Sequence, residues 1–223
     1  MTTQTVSPTP VKVDVWSDIA CPFCYIGKRK FEEAAATSGI PIELEYHSYE
    51  LAPDTDDVVP HSHLEHLVNR MGVSHAQAAS MEKRTVGVVA DAGLPIDYGR
   101  MKQSNTRRAH QLLHFAKARG IQAQLKDRLM TAYFSEGRSM ASVDDLADLA
   151  AEVGLDRADV IRSLETDEFQ SAVDADKRRA ADYGVRGVPF FVFNEAIAVS
   201  GAQDPSVFVD ALTEAAAAAS GEH

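Results

Sequence analysis

Val11-Lys12-Val13-Asp14-Val15-Trp16-Ser17-Asp18-Ile19-Ala20-Cys21-Pro22-Phe23-Cys24 is the stretch whose reading decides the fold. Its first six residues form a strand-like run, and the residues after Cys24, from Ile26 to Ala36, have helical spacing. The only two cysteines of the chain therefore stand three apart at a strand-to-helix turn. Two cysteines placed at random in a chain of this length would share that spacing on the order of 1% of the time, so the pair reads as a redox site. With Cys21 as helix cap and Pro22 in the first turn, the Cys21 sulfur faces unpaired backbone N–H groups and the positive end of the helix dipole. That setting favours the thiolate, the nucleophilic form. Cys24 falls one turn on, placed to attack a mixed disulfide on Cys21.

Other uses of the pair fit less well. A bridge spanning two residues constrains little of the unfolded chain, and a zinc knuckle would need a second cysteine pair, which only nearby histidines could replace. Haem attachment requires His after the second cysteine, where Tyr25 stands.

The 223 residues suffice for one large core, or for a core domain with a sizeable insertion, and 45% hydrophobic content is ordinary for a globular protein. A net charge of -11, from 33 acidic against 22 basic residues, argues against nucleic acid or an anionic membrane surface as partner. No apolar run approaches the roughly 18 residues of a membrane span. Residues 1–10 lack the basic and apolar regions of a secretory signal and read as a disordered tail, so a cytoplasmic location is expected. In a reducing compartment a CxxC pair is more often catalytic or redox-sensing than structural.

Working outward, helix 23–37 is followed by a break at Gly39-Ile40-Pro41 and a strand from Ile42 to Tyr49, giving a β-α-β unit. Residues 51–60 read as a loop. Helices are expected at 62–71, 74–91, 105–119, 121–135, 142–153, 156–164 and 166–183, ending near Gly72, Gly93, Gly120, Gly137, Gly154 and Gly184. Ser142-Val143-Asp144-Asp145 has capping-box spacing with Asp in place of Glu. Beyond Gly184, Val188-Pro189-Phe190-Phe191-Val192-Phe193 reads as a strand, Asn194-Glu195 as a turn, and Ala196 to Ser200 as its hairpin partner. Asp204-Pro205 then opens an Ala-rich helix to about Ala219.

This order of elements, with CxxC at the first helix and Val-Pro before the third strand, resembles the thioredoxin fold as elaborated in the DsbA family. The segments SDIACPFCYIGKRKFE at 17–32, SNTRRAHQLLHFA at 104–116, YGVRGVPFFVFN at 183–194 and VSGAQDP at 199–205 resemble its cytoplasmic FrnE-like branch, related to 2-hydroxychromene-2-carboxylate isomerases and kappa-class glutathione transferases. The resemblance implies an α/β, thioredoxin-like fold with a large all-helical insertion: a thioredoxin-like domain at 11–55 and 184–223, and an inserted helical domain at 56–183. It further implies that Cys21 attacks, that Cys24 resolves, and that Pro189 is a cis-proline packed against them, with Val188 offering its backbone to a bound peptide or to glutathione. The glutathione-dependent isomerases and transferases carry serine where Cys21 stands, a departure that favours disulfide exchange here.

Among other candidates, Asp18 is a proton acceptor for Cys24, a carboxylate that only raises a thiol pKa by like-charge repulsion, or a solvated loop residue. Phe23 and Trp16 are expected to frame the active-site surface, although an inward strand position suits Trp16 equally to the core. Asn105, Thr106 and His110, from the family-like segment, are candidates to face the dithiol. Gln203 and Asp204 start the last helix, where related proteins hold the glutathione γ-glutamyl group, with a plain helix cap as the equal alternative for Asp204. His110 and His114 stand four apart without a third ligand, and His61, His63 and His66 read better as a polar loop entering a helix than as a metal site, so no metal is expected.

The expected function is a cytoplasmic thiol-disulfide oxidoreductase or disulfide isomerase acting on disulfide- or thiol-containing proteins or small molecules. No tightly bound cofactor is expected, and glutathione is a candidate reductant or co-substrate. The alternative enzyme is a glutathione-dependent isomerase or transferase acting on a small aromatic substrate. A metal-binding or holdase module is the non-enzymatic alternative.

Overall fold

A computed structural model describes residues 9–220. The opening unit is β1 (Val11–Ser17), α1 (Pro22–Ser38) and β2 (Ile42–Ser48). The helices α2 (His63–Met71), α3 (His75–Asp91), α4 (Arg107–Lys117), α5 (Gln122–Thr131), α6 (Val143–Glu152), α7 (Arg157–Glu165) and α8 (Gln170–Asp182) follow, with a π-helical turn over Ala132–Glu136 continuing α5. The chain closes with β3 (Phe190–Phe193), β4 (Ile197–Ser200) and α9 (Pro205–Ser220). Of the tail expected at 1–10, residues 1–8 lie outside the described residues.

The sheet runs in the order β2-β1-β3-β4, with β1 parallel to β2 and antiparallel to β3. The β3-β4 hairpin turns through the three residues Asn194, Glu195 and Ala196, with Asn194 and Glu195 left-handed at φ of 46° and 58° and the Ala196 N–H returning to the Phe193 carbonyl. Strand β3 begins at Phe190 rather than at Val188, because Pro189 has no N–H to donate to a ladder. The six glycines expected to end helices all have φ between 66° and 92°. Ser142 accepts from the Asp145 N–H, but the Asp145 carboxylate turns to Arg138 and the Ser139 N–H, so the capping box is closed on one side only.

Period-two alternation gives β1 two different faces. Val11, Val13 and Val15 pack with Phe31 of α1, Phe191 and Phe193 of β3, and Phe208 and Leu212 of α9. Full burial of each such side chain contributes about 1.5–3 kcal/mol. On the opposite face Asp14 and Trp16 meet the helical segment. Asp14 of β1 bonds His47 Nε2 at 2.6 Å, His47 Nδ1 lies 2.7 Å from Asp176 of α8, and Asp176 also accepts the Ser48 N–H. His114 of α4 lies 3.0 Å from the same Asp176 carboxylate. Burial alone would lower the His47 pKa, but the flanking carboxylates outweigh it and raise it above the ordinary value.

A second tie fixes α5 against the edge of the sheet. The Gln122 side chain accepts from the Tyr46 N–H at 2.9 Å and donates to the Tyr46 carbonyl at 2.8 Å, satisfying the backbone of edge strand β2. This is a thioredoxin-like fold with a large helical insertion, and the dithiol lies where the two meet: Cys21, Cys24, Tyr25 and Ile26 belong to the same apolar cluster as Leu112, Leu125, Leu129 and Phe134.

Candidate active site

Cys21 caps α1 in extended conformation, with φ -93° and ψ 114°, and Pro22 follows in the first turn. Its side chain makes no helix-cap bond, and the thiol donates toward the Val188 carbonyl at 3.7 Å. The backbone N–H groups of Cys24 and Tyr25 return to the Cys21 carbonyl. Both cysteines are free thiols. Cys21 is 4% exposed and Cys24 1%, so the two differ less in access than an open and a shielded thiol would. The surface beside them is marked by Phe23, 49% exposed.

The two thiols are electrostatically unlike. The Cys24 thiol, as hydrogen-bond donor, is the largest influence holding the Cys21 pKa below the ordinary thiol value, with the backbone N–H groups of Cys24 and Phe23 assisting. Burial and the Asp18 carboxylate oppose this shift. Helix-start amides thus contribute, but the partner thiol contributes more. Cys24 moves the other way, pushed well above the thiol range by burial and then by Cys21. An attacking thiolate beside a protonated resolving thiol is the pairing that disulfide exchange requires.

Pro189 follows Val188 through a cis peptide bond. Its ring lies over Gly27 of α1, where a Cβ would stand 2.8 Å from Pro189 Cγ and 3.6 Å from Ala202 Cα. The Pro189 carbonyl accepts from the Gly201 N–H, which ties the segment before α9 to the same corner. Nothing in the period of the sequence marks this contact. The available signal is a glycine inside a helix one turn beyond Cys24, a position that costs about 1 kcal/mol against alanine and so points to a close approach.

Asp18 is 2% exposed and accepts from Leu51 N–H at 2.8 Å and Ala20 N–H at 3.3 Å, with His110 Nε2 at 3.3 Å. Burial would raise its pKa, but His110 and the two amides outweigh burial and hold it below the ordinary carboxylate value. Asp18 is therefore a buried anion beside the dithiol, and the solvated-loop alternative does not describe it. His110 is brought to this corner through Asp18.

Several candidates go elsewhere. Trp16 does not frame the surface: it is fully buried, stacks on His47 and donates from Nε1 to the Asp176 carbonyl, because its strand position points into the helical segment. Asn105 spends its amide on the Pro53 and Thr55 carbonyls and its carbonyl on the Arg107 N–H, so it orders the 51–60 loop. Gln203 bonds the Ser200 carbonyl, and Asp204 pairs with Lys30 at an exposed position. Thr106 lines a cavity of about 430 Å³ beside Asp18 and Ala20, together with His63, His66 and Arg70.

His63 pairs with Glu82 and stacks on Tyr98, while His61 and His66 stack on each other. Among the described residues, ligand atoms of Asp14, Glu45 and His47 lie within 4.8 Å of one another. Both His47 ring nitrogens already bond carboxylates and the imidazole is biased toward its protonated form, so it offers no lone pair to a metal. The residue that the sequence reading missed outright is Lys126, fully buried on α5. No helix of the described residues is long and apolar enough to cross a membrane.

Residues 12–213 match the family model of the DSBA-like thioredoxin domain. The uncharacterized protein YwbO of Bacillus subtilis is 30% identical over 206 residues, covering 92% of this chain and 96% of that protein. A solved structure of a probable DsbA oxidoreductase from Streptomyces coelicolor is 37% identical, with a TM-score of 0.85 over 96% of this chain and 91% of the other. The cytosolic disulfide reductase DsbM from Pseudomonas aeruginosa, solved with GSH, shares the fold at 15% identity and a TM-score of 0.62, over 95% of this chain and 98% of that one. The chain belongs to the DsbA-like thioredoxin family, in keeping with the FrnE-like resemblance of its four segments.

Proposed function

We propose that this protein is a cytoplasmic thiol-disulfide oxidoreductase or disulfide isomerase that works through the Cys21-Cys24 dithiol. The observation that carries this reading is the placement of two free thiols at the start of one helix, Cys21 at the cap against the Val188 carbonyl and Cys24 one turn inside, with burial and their mutual contact displacing Cys21 downward and Cys24 upward. The Cys21 thiolate attacks one sulfur of a substrate disulfide, forming a mixed disulfide and expelling the other sulfur as thiolate, which takes up a proton. Cys24 loses its proton and attacks Cys21 Sγ, forming the Cys21–Cys24 bond and releasing the second substrate thiolate. The dithiol is thereby oxidised by two electrons and the substrate disulfide reduced by two; the reverse sequence oxidises or isomerises substrates.

Protein or small-molecule disulfides are the substrates of this reading, and glutathione is its reductant or co-substrate. The Val188 backbone, already facing Cys21, and exposed Phe23 are the proposed contacts for substrate. Incubating Cys24→Ser with glutathione disulfide or with disulfide-bonded insulin should leave a stable mixed disulfide on Cys21, seen by intact mass and peptide mapping. No adduct on Cys21, or adducts on Cys24 of Cys21→Ser alone, would contradict the assignment. Activity on a small aromatic substrate that survives removal of both thiols would favour a glutathione-dependent isomerase or transferase instead.

A further inference from the structure

Lys126 is a costly residue with no structural employment. Its side chain is fully buried, and Nζ has no hydrogen-bond partner among the described residues. Taking an ammonium out of water without a partner costs several kcal/mol, and a methionine or leucine would fill the same space without that penalty. A buried charge of this kind persists where it serves a site.

Its placement follows from the fold. Gln122 clamps α5 to the backbone of Tyr46 on edge strand β2, and Lys126 lies one helical turn further on the same face. Nζ accordingly lies 4.9 Å from the centroid of the Tyr46 ring, a favourable contact for the cation. The ionisable groups facing it come from three directions. Cys24, Cys21 and Lys28 project from α1, Asp18 from the turn before it, and Tyr46 from β2. Cys24 is the strongest electrostatic partner among them, and Lys126 in turn pulls the Cys24 pKa down against burial.

We propose that Lys126 is the positioning residue of the resolving step: its buried ammonium stabilises the Cys24 thiolate that must form before Cys24 can attack a mixed disulfide on Cys21. This rests on reading the dithiol as an exchange centre. Burial lowers the lysine pKa to about 8, so the ammonium predominates at neutral pH and its charge is available when the Cys24 proton leaves. Burial and Cys21 oppose ionisation of Cys24, and Lys126 is the charged group that favours it, with the Asp18 backbone assisting. The chemical step is unchanged: the proton of Cys24 passes to the buffer, the Cys24 thiolate attacks Cys21 Sγ, and the substrate sulfur leaves as thiolate.

Stopped-flow reaction of the reduced protein with stoichiometric DTNB separates the two events. The first release of thionitrobenzoate reports Cys21 attack and the second reports resolution by Cys24. Lys126→Met should slow the second phase about tenfold at pH 7, where the wild-type ammonium is charged, since an opposite charge beside a thiol moves its pKa by about one unit. Lys126→Arg, which keeps the charge, should hold the wild-type rate. A second phase at the wild-type rate in Lys126→Met would overturn the role of Lys126 while leaving the exchange reading intact. Absence of a second release in the wild type would overturn the exchange reading itself.

Discussion

Gly27→Ala sets two known effects against each other at the corner where α1 meets Pro189. In a helix interior alanine is favoured over glycine by about 1 kcal/mol. Gly87 of α3 shows that effect without interference, because a Cβ there meets nothing within 4 Å among the described residues. At Gly27 the same Cβ would stand 2.8 Å from Pro189 Cγ, closer than carbon atoms approach in a packed interior, with the Ala202 backbone 3.6 Å away on the other side. The proline ring cannot rotate aside as a flexible side chain would, so α1 or the Pro189 segment must move, at an overpacking cost of about 1–3 kcal/mol. Gly87→Ala should therefore stabilise the reduced protein by about 0.5–1 kcal/mol, and Gly27→Ala should fall about 1–3 kcal/mol below it. Guanidinium unfolding of the two variants beside wild type measures the difference. Equal stabilisation of both variants would show that Pro189 does not press on α1, and with it would go the account of how the Val188 carbonyl is held against Cys21.

The ties between the sheet and the helical segment make two further predictions. Gln122→Ala strips the Tyr46 N–H and carbonyl of their partners at a buried edge and should destabilise the protein by about 1–3 kcal/mol per stranded group, read by the same unfolding titration; a loss below about 0.5 kcal/mol would mean that water or another group takes over. The raised pKa of His47 adds stability that is complete below the unfolded-state value of about 6.5 and is lost as pH rises through the folded-state value. The lowered pKa values of Asp14 and Asp176 act oppositely, their contribution being present above the unfolded-state value of about 3.9 and lost as pH falls through the folded-state values. Wild-type stability should thus decline on the alkaline side of about pH 6.5 more steeply than that of His47→Gln, and parallel profiles would refute the imidazolium assignment.

Much of this fold is written locally. The strand of alternating valines, the helix that starts at Pro22, the glycines after most of the helices and the Asn194-Glu195 turn are all set by neighbours in sequence, and their boundaries agree with the structure to within a few residues. The dithiol was legible for the same reason, since both cysteines and their helix lie in one segment. What resisted reading depends on elements far apart in the chain. Trp16 was ambiguous because alternation shows that a strand has two faces but not which of them is covered; α8, about 160 residues away, covers it. Asn105 and His110 lie five residues apart, yet one is turned to the 51–60 loop and the other to Asp18, a difference fixed by the docking of α4. Lys126 carries no local signal at all, because a lysine on a helix is ordinarily solvated and it is the docking of α5, through its apolar residues and the clamp of Gln122 on Tyr46, that puts this one in the interior.

The asymmetry of the two thiols is the centre of the account, and site-resolved alkylation measures it. Reduced protein treated with iodoacetamide over a range of pH, followed by peptide mapping, gives a separate pH-rate profile for each cysteine. The account predicts a Cys21 midpoint below the free-thiol value of about 8.5 and a Cys24 midpoint above it. A Cys21 midpoint at or above the free-thiol value, or a Cys24 midpoint below that of Cys21, would contradict it.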